Sequence, residues 1–265
     1  MTEAGLPEAL VGDLRELARV RRLLVALDFD GTLAPEVDNP ERARALPEAR
    51  EAVLRLLALS STRVALISGR SLASLEHVSG LPDNALLIGS HGIEIRLDNP
   101  DDAFVLDAEE EERRELLNEV LEEVADSFDN VWLEEKPAGF ALHTRLASEH
   151  NSRVAHLVAL SETQAELDDL KIREGKNVLE FAVRSTTKGE AVEHLRRYTK
   201  ADAVFFAGDD VTDEDAFAAL GAGDLGLKCG TGRTLAAHRV GGPPQVAQVL
   251  SLLATYRERG GPHEQ

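Results

Sequence analysis

This 265-residue sequence lacks several features that point to particular classes of protein. Cys229 is its only cysteine, so no internal disulfide bond can form and the cytoplasm is the expected compartment. Its apolar runs are far shorter than the roughly 18 residues that a membrane-spanning helix needs. Residues 1–13 carry acids and lack the basic start and apolar segment of a secretory signal. We therefore predict a soluble cytoplasmic protein without a membrane partner.

Basic residues are also scarce. The chain has 29 Lys and Arg residues against 48 Asp and Glu residues, which gives a formal net charge of −19. A surface this negative repels the phosphate backbone of nucleic acids, so no nucleic-acid partner is expected. An anionic substrate would need a local positive site. The sequence contains no internal repeat or low-complexity linker and does not define an oligomeric state, for which a monomer is favoured.

Helical and extended patterns alternate along both ends of the chain. Apolar strands are predicted at 23–27, 63–67 and 85–88, each followed by a helical or turn pattern, and the same alternation resumes at Lys188. This order indicates a parallel sheet. The segment in between has short alternating strands, among them 93–97 and 104–106, an acidic helix at 108–128 and a second helix, which favour an antiparallel α+β domain. We predict an α/β protein whose catalytic core comprises 1–92 and 185–265, with an inserted cap domain at 93–184.

The motif Asp28-Phe29-Asp30-Gly31-Thr32 directly follows the apolar run from Leu23 to Leu27. A run of that kind predicts a strand buried on both faces, which places both carboxylates at the carboxyl end of the strand, where open α/β sheets bind ligands. One carboxylate there can act as a nucleophile and the other can transfer a proton, while a cation allows both to remain ionised.

A second acidic cluster, Gly208-Asp209-Asp210-Val211-Thr212-Asp213-Glu214-Asp215, follows another apolar strand. These carboxylates repel one another, and a bound cation would relieve the repulsion. With no His or Cys nearby, such oxygen ligands suit Mg²⁺ better than Zn²⁺. Asp209 is the main candidate ligand and Asp213 the second, although some of these acids can simply lie in the first turn of a helix that Thr212 caps. Whether Asp210 or Asp213 contacts the metal directly stays open.

Two further segments provide groups that could bind a phosphate. Ser68-Gly69-Arg70 follows a predicted strand and offers a hydroxyl and backbone N–H groups, although a Ser-Gly pair there is more often only a turn. Lys188 precedes a helix, where an ammonium group is slightly unfavourable with the helix dipole, and this position suggests a functional role.

The predicted cap carries polar residues on extended segments. Glu134-Glu135-Lys136-Pro137 precedes a stretch in which His143 and Arg145 share one face by a period of two, and Lys176 precedes a strand that contains Glu180. Such a cluster suits a polyol, which offers alternating hydrogen-bond donors and acceptors. The alternative is an ordinary solvent-exposed sheet face.

Four motifs follow one another along the chain: Asp28–Thr32, Ser68–Arg70, Lys188-Gly189 and Gly208–Asp215. Their order resembles that of the haloacid dehalogenase superfamily of phosphotransferases, whose core is a Rossmann-like parallel sheet. The resemblance implies that Asp28 is the nucleophile that becomes an aspartyl phosphate, and that Asp30 is the general acid and base. It also implies two sets of binding residues. The phosphate-binding residues would be Thr32, Ser68, Gly69 and Lys188, and Lys188 would also be a catalytic residue that holds the phosphoryl group and the nucleophile in register. The Mg²⁺ ligands would be the Asp28 carboxylate, the Asp30 main-chain carbonyl and Asp209, with Asp213 as a further candidate.

The segments Gly89-Ser90-His91-Gly92-Ile93-Glu94, Glu134-Glu135-Lys136-Pro137 and Gly175-Lys176 resemble more narrowly the trehalose-6-phosphate phosphatase family. The resemblance implies hydrolysis of trehalose 6-phosphate to trehalose and phosphate, the last step of trehalose biosynthesis. The sugar contacts would be Glu135, Lys136, Lys176 and Glu180, with His143 and Arg145 less securely placed. The alternatives are a phosphatase for another sugar phosphate, such as sucrose 6-phosphate or a glycosyl phosphoglycerate, and a non-catalytic sugar-phosphate sensor or regulatory subunit.

Overall fold

The computed structural model describes residues 5–98, 106–184 and 186–260. The chain divides into two compact units, a core unit formed by 1–103 with 186–265 and an inserted unit formed by 104–185. The α-helices are α1 (Glu8–Leu17), α2 (Pro47–Leu57), α3 (Leu72–Ser79), α4 (Ala108–Asp126), α5 (Glu149–Glu166), α6 (Lys188–Thr199), α7 (Asp213–Ala218) and α8 (Pro243–Gly260). The strands are β1 (Leu23–Leu27), β2 (Thr62–Ile67), β3 (Leu86–Gly89), β4 (Glu94–Arg96), β5 (Trp132–Lys136), β6 (Gly139–His143), β7 (Lys171–Gly175), β8 (Val178–Ala182), β9 (Ala203–Gly208), β10 (Leu225–Cys229) and β11 (His238–Val240).

The core unit is built on a seven-stranded sheet in the order β11-β10-β9-β1-β2-β3-β4. Every neighbouring pair is parallel except β3 and β4, which are antiparallel. β1 lies between β9 and β2, and all five of its residues are buried. The predicted α/β class and parallel sheet are therefore confirmed. The carboxyl end of β1 lies mid-sheet, where two parallel neighbours end beside it and a ligand crevice is expected.

Alternate residues of β1 pack against helices on opposite faces of this sheet. Leu23, Val25 and Leu27 belong to the apolar cluster that includes residues of α1, α2 and α8, whereas Leu24 and Ala26 belong to the cluster that includes residues of α6 and α7. Because successive side chains of a strand point to opposite faces, a continuous apolar run can fill both layers. This packing fixes the position of β1, and therefore of the residues that directly follow it.

Strand β4 changes the boundary between the two units. The sequence predicts that the cap begins at residue 93, but Glu94–Arg96 pairs with β3 and completes the core sheet. Along the chain, the boundaries between the two units fall instead between residues 103 and 104 and between 185 and 186. The prediction was wrong for 93–98 because a short alternating strand fits an antiparallel edge of a mixed sheet as well as an antiparallel domain. A further strand predicted at 104–106 falls mostly outside the described residues.

Three strands, β7, β10 and β11, were not predicted from the sequence patterns. β7 has the sequence Lys-Ile-Arg-Glu-Gly and lies at the edge of its sheet, where charged residues are common. In β10, Gly226 and Lys228 interrupt the apolar run, although all five residues are buried. β11 has only three residues. Strands that short or that polar have no distinctive periodicity.

The inserted unit is an antiparallel sheet in the order β5-β6-β8-β7. Its apolar core lies between one face of the sheet and the two helices α4 and α5, and includes Leu117, Leu121, Ala159, Phe140, Leu142, Leu179 and Phe181. Alternating strand residues, including Glu134 and Lys136, lie on the opposite face, which we call the polar face. The predicted α+β character of this segment agrees with these elements. Among the described residues of both units, no helix has the length and apolar character needed to cross a bilayer.

Candidate active site

Asp28 is the first residue after β1. Its backbone N–H donates to the carbonyl of Ala207 at 2.9 Å, which extends the pairing with β9 by one residue. Only 4% of Asp28 is exposed. Burial raises the pKa of this carboxyl to about 7, because the charged form loses solvation, and the neighbouring Lys188 offsets only part of that effect. A positive group brought to this carboxylate therefore favours the form that can act as a nucleophile.

Lys188 already provides part of that positive charge. Its Nζ donates to Oδ1 of Asp28 and to Oδ1 of Asp213, both at 2.7 Å, and its side chain is almost fully buried. Burial tends to lower the pKa of this ammonium, but the two carboxylates outweigh burial and hold the pKa above its usual value. The lysine stays charged and links the end of β1 to the acidic loop that follows β9.

Local structure explains how Lys188 reaches this position. It is the first residue of α6, which begins with a reciprocal capping box between Thr187 and Glu190. Gly189 allows the helix to approach closely, because a Cβ atom there would lie 2.5 Å from the carbonyl oxygen of Asp215. The unfavourable place of a lysine at a helix start is thus compensated by two carboxylates.

Asp28, Asp209 and Asp213 form an acidic cluster in which one carboxylate oxygen of each lies within 4.8 Å of the others. Burial raises the pKa of Asp209, although Thr32 opposes the shift by donating from Oγ1 to Asp209 Oδ1 at 3.1 Å. The cluster offers only hard oxygen donors, which is the donor chemistry that Mg²⁺ and other hard divalent cations prefer. These residues fit a metal ion.

Asp210 and Asp213 have different surroundings. Asp213 is completely buried and accepts the backbone N–H of Asp210 at 2.8 Å in addition to its bond from Lys188. The Asp210 carboxylate is exposed and accepts only the adjacent N–H of Val211, at 2.6 Å, among the bonds described. Of the two, Asp213 is the one that lies in the acidic cluster.

Two residues that were given no role from the sequence, Lys228 and Gly31, also contact the site. Lys228, which is buried, donates from Nζ to the carbonyl oxygens of Asp209 at 2.5 Å and Asp210 at 3.2 Å. Gly31 has a φ of +76°, and a Cβ atom there would lie 2.2 Å from Oδ2 of Asp209. A lysine within an otherwise apolar strand is the signal that could have identified Lys228.

Asp30 forms a two-point ion pair with Arg70. The guanidinium donates from Nε to Oδ2 at 2.5 Å and from Nη2 to Oδ1 at 2.6 Å, so both carboxylate oxygens are engaged. Arg70 belongs to the Ser68-Gly69-Arg70 motif. The buried Ser68 accepts the backbone N–H of Arg70 at 3.2 Å, and Gly69 is exposed beside the ring of His91. The motif thus lies close to Asp30, and its arginine is a site residue that was not assigned a role from the sequence.

In the inserted unit, the polar face brings together Glu134, Lys136 and His143. Lys136 Nζ donates to Glu134 Oε1 at 2.5 Å, and His143 Nε2 lies 2.8 Å from Glu134 Oε2. The bond from Lys136 lowers the pKa of Glu134, and partial burial opposes this shift only in part. Glu180 is exposed. It lies on the same face as Glu134, because Ala141 of β6 pairs with both residues.

Three predicted sugar contacts, Glu135, Arg145 and Lys176, lie elsewhere in this unit. Glu135 points to the opposite face of the sheet, where its carboxylate accepts from Arg114 Nη2 at 2.5 Å. Glu134, two residues before Lys136 on the same strand, shares the polar face with it. Arg145 follows the end of β6 and is exposed, so it does not share the face of His143 as a strand residue. Lys176 lies in the tight β7–β8 turn and is exposed.

Acidic side chains and a lysine at the carboxyl ends of a parallel sheet are the architecture of the haloacid dehalogenase-like phosphatases. The sequence model of one family within that class, described as Trehalose-phosphatase, matches residues 26–238. The chain therefore belongs to the trehalose-phosphatase family, a family of enzymes. This confirms the family and the enzyme class predicted from the motifs.

Individual relatives agree with the family assignment. The trehalose-6-phosphate phosphatase of Escherichia coli is 33% identical over 233 residues, which cover 86% of this chain and 85% of that protein. The bifunctional trehalose-6-phosphate synthase/phosphatase of Thermoproteus tenax is 35% identical over 231 residues, which cover 85% of this chain but 31% of that protein. Among solved structures, trehalose-6-phosphate phosphatase of Aspergillus fumigatus superposes with a TM-score of 0.68 at 25% identity, covering 94% of this chain and 98% of that chain.

Proposed function

We propose that this chain hydrolyses trehalose 6-phosphate to trehalose and phosphate, with Asp28 as the nucleophile. The observation that carries the proposal is the position of Lys188, whose ammonium group contacts both Asp28 and Asp213 at 2.7 Å beside Asp209. A phosphomonoester is an anion, and an acidic site can accept it only where positive charge compensates the repulsion. Family membership supports the substrate.

The chemistry takes place in two steps. In the first, a carboxylate oxygen of Asp28 attacks phosphorus, and the bond between phosphorus and the sugar oxygen breaks as Asp30 donates a proton to that oxygen. In the second, water attacks the aspartyl phosphate, Asp30 accepts the proton from the water, and phosphate leaves with the original Asp28 carboxylate restored. Because Arg70 engages both Asp30 oxygens, this ion pair must open before Asp30 can reach the reacting atoms.

Asp28 and Asp209, with the main-chain carbonyl of Asp30, would hold a Mg²⁺ ion, and Asp213 would support the site while bound to Lys188. When bound, the ion supplies positive charge that neutralises the phosphoryl group and the carboxylates around it. Ser68 would donate a hydrogen bond to a phosphate oxygen, and Thr32 would do the same once its hydroxyl leaves Asp209. Both side chains are buried at the edge of the sheet where Asp28 lies.

The inserted unit would select the sugar. Glu134, Lys136, His143 and Glu180 on the polar face, with Lys176 in the adjacent turn, offer the acceptors and donors that hydroxyl groups require. Glu134 takes the role first predicted for Glu135, whose carboxylate is paired with Arg114 on the other face. In this proposal the core unit performs the reaction and the inserted unit acts as the specificity cap.

Phosphate release from a panel of sugar phosphates tests the substrate. The panel contains trehalose 6-phosphate, sucrose 6-phosphate, glucosyl phosphoglycerate and p-nitrophenyl phosphate, each with Mg²⁺ and with EDTA. We expect the highest kcat/KM for trehalose 6-phosphate and no turnover of any compound in EDTA. Better turnover of another sugar phosphate would overturn the substrate but keep the chemistry, whereas turnover in EDTA would contradict the metal requirement.

Two aspartate variants test the nucleophile. Asp28→Asn should lose all turnover, because an amide is a poor nucleophile. Asp83→Asn makes the same chemical change at an exposed loop position of the core unit and should retain wild-type rates. Substantial phosphate release by Asp28→Asn would contradict the assignment.

A further inference from the structure

Trp132 lies outside the apolar core of the inserted unit. It is the first residue of the edge strand β5, is 38% exposed, and is not part of the apolar cluster described for the inserted unit. Its ring stacks on the imidazole of His143, with ring centroids 5.0 Å apart and an angle of 10° between the planes. One side of the tryptophan ring is thus supported by a second ring, and a large apolar surface remains accessible.

The neighbours of this ring pair are hydrogen-bonding groups. His143 Nε2 lies 2.8 Å from Glu134 Oε2, and the other oxygen of Glu134 accepts from Lys136 at 2.5 Å. Because Trp132 and His143 are paired across β5 and β6, and Glu134 and Lys136 alternate with Trp132, all four residues lie on the polar face. The ammonium, carboxylate and imidazole hold one another in place beside the exposed indole.

A flat apolar surface next to fixed polar groups is complementary to a pyranose ring. The C–H groups of a pyranose form an apolar face that packs on an aromatic ring, while its hydroxyl groups reach sideways to charged donors and acceptors. A phosphate group has no apolar face that could pack on the indole. The arrangement therefore suits a sugar ring better than the charged end of a substrate.

We propose that Trp132, stacked on His143, binds the glucose unit of trehalose 6-phosphate that carries no phosphate, and so determines specificity for a disaccharide. The inference rests on the proposed function and extends it to a residue that the sequence motifs did not include. Trp132 contacts the sugar and does not contact the reacting atoms. Its loss should affect KM for the disaccharide more than kcat.

The chain has a single tryptophan, so its fluorescence reports on this position alone. In the first experiment, Asp28→Asn protein is titrated with trehalose 6-phosphate while binding is followed by calorimetry. We expect the Trp132 emission to change with the same saturation curve as the heat of binding. Glucose 6-phosphate, which lacks the second ring, is the matched ligand and should leave the emission nearly unchanged. Unchanged emission when calorimetry shows saturation with trehalose 6-phosphate, or an equal response to glucose 6-phosphate, would overturn the proposal.

The second experiment uses variants that separate an aromatic surface from apolar bulk. Trp132→Leu should raise KM for trehalose 6-phosphate about tenfold, in line with the loss of one aromatic stacking contact, and should leave p-nitrophenyl phosphate hydrolysis unchanged. Trp132→Phe keeps a ring and should restore most of the affinity. Leu157→Ala, at another exposed apolar residue of the same unit, is the control and should not change KM.

Each outcome of the variant experiment has one meaning. Wild-type KM in Trp132→Leu would overturn the sugar contact while the proposed function stands. Equal loss on both substrates would mean that Trp132 only stabilises the fold, and would also overturn it. If wild-type protein hydrolyses p-nitrophenyl phosphate but not trehalose 6-phosphate, the proposed function itself fails.

Discussion

Lys188 donates a hydrogen bond from Nζ to Oδ1 of Asp28 at 2.7 Å, and both side chains are almost completely buried. The same ammonium group contacts Asp213 at the same distance. One buried cation thus offsets part of the negative charge of two buried carboxylates at the carboxyl end of β1. The hydrogen bond from Lys188 therefore positions the proposed nucleophile and also lowers the free-energy cost of burying its charge.

Removing that cation should affect both stability and turnover. Lys188→Met removes the cationic partner of two buried carboxylates, so we expect the free energy of unfolding to fall by about 3 kcal/mol at neutral pH. We also expect kcat to fall by at least about 10²-fold, since the charge that stabilises the transferring group is lost. Urea denaturation and initial rates measure the two effects.

The control for this variant is Lys200→Met, since Lys200 is exposed at the end of α6. It should match the wild type in both assays. If Lys188→Met kept wild-type stability, the buried charge balance inferred from the distances would be wrong.

The raised pKa of Asp28 predicts a particular pH dependence in protein stripped of metal. The folded-state pKa is about 7, against an ordinary value of 3.8. Between these values the unfolded state has lost the proton that the folded state still binds, so raising the pH stabilises the unfolded state. The contribution of Asp28 to stability is therefore complete below about pH 4 and is lost as the pH rises to about 7.

Comparison with Asp28→Asn isolates this contribution. In EDTA, the free energy of unfolding of wild type minus that of the variant should decrease from pH 4 to pH 7 and then level off. A difference that rises over this range would mean that Lys188 lowers the pKa of Asp28 more strongly than burial raises it.

Gly31 should tolerate no side chain. Its positive φ costs any other residue about 1 kcal/mol, and an added Cβ atom would also lie 2.2 Å from the Asp209 carboxylate. We expect Gly31→Ala to displace Asp209, weaken Mg²⁺ binding in calorimetry and reduce kcat at least about 10²-fold. Gly80→Ala is the matched control, because Gly80 also has a positive φ but has no atom within 4 Å of the added Cβ. Equal activity in the two variants would refute the close approach of Asp209.

The adjacent glutamates Glu134 and Glu135 provide a paired test of the polar face. Glu134→Gln should raise KM for trehalose 6-phosphate roughly tenfold, because a charged acceptor for a hydroxyl group is lost. Glu135→Gln removes only an ion pair with Arg114, in which the glutamate side chain is 74% exposed, and should leave KM within about twofold. The opposite ranking would return the sugar contact to Glu135.

The core site could be predicted from the sequence because its residues follow buried strands. A carboxylate that directly follows a continuous apolar run has its position set by the strand, as for Asp28 and Asp209, and parallel strands bring such ends together. The polar face was harder. Glu134 and Glu135 are identical in type, and only the period of two from Lys136 distinguishes them.

Other contacts depend on distances that no local pattern encodes. Arg70 and Asp30 are 40 residues apart, and their ion pair follows from the neighbouring positions of β1 and β2. Lys228 lies in a strand that Gly226 and the lysine itself obscure in the sequence. The stacking of Trp132 on His143 requires the exact pairing register of β5 with β6, which alternation alone does not fix.

The most direct test of the central claim is to identify the residue that carries phosphate during turnover. Wild-type protein is mixed rapidly with trehalose 6-phosphate and Mg²⁺, quenched in acid, digested with pepsin and analysed by tandem mass spectrometry. The proposed mechanism predicts the added mass of one phosphoryl group on Asp28 and none in the Asp28→Asn variant. A phosphoryl group on another residue, or turnover with no labelled peptide at any quench time, would contradict it.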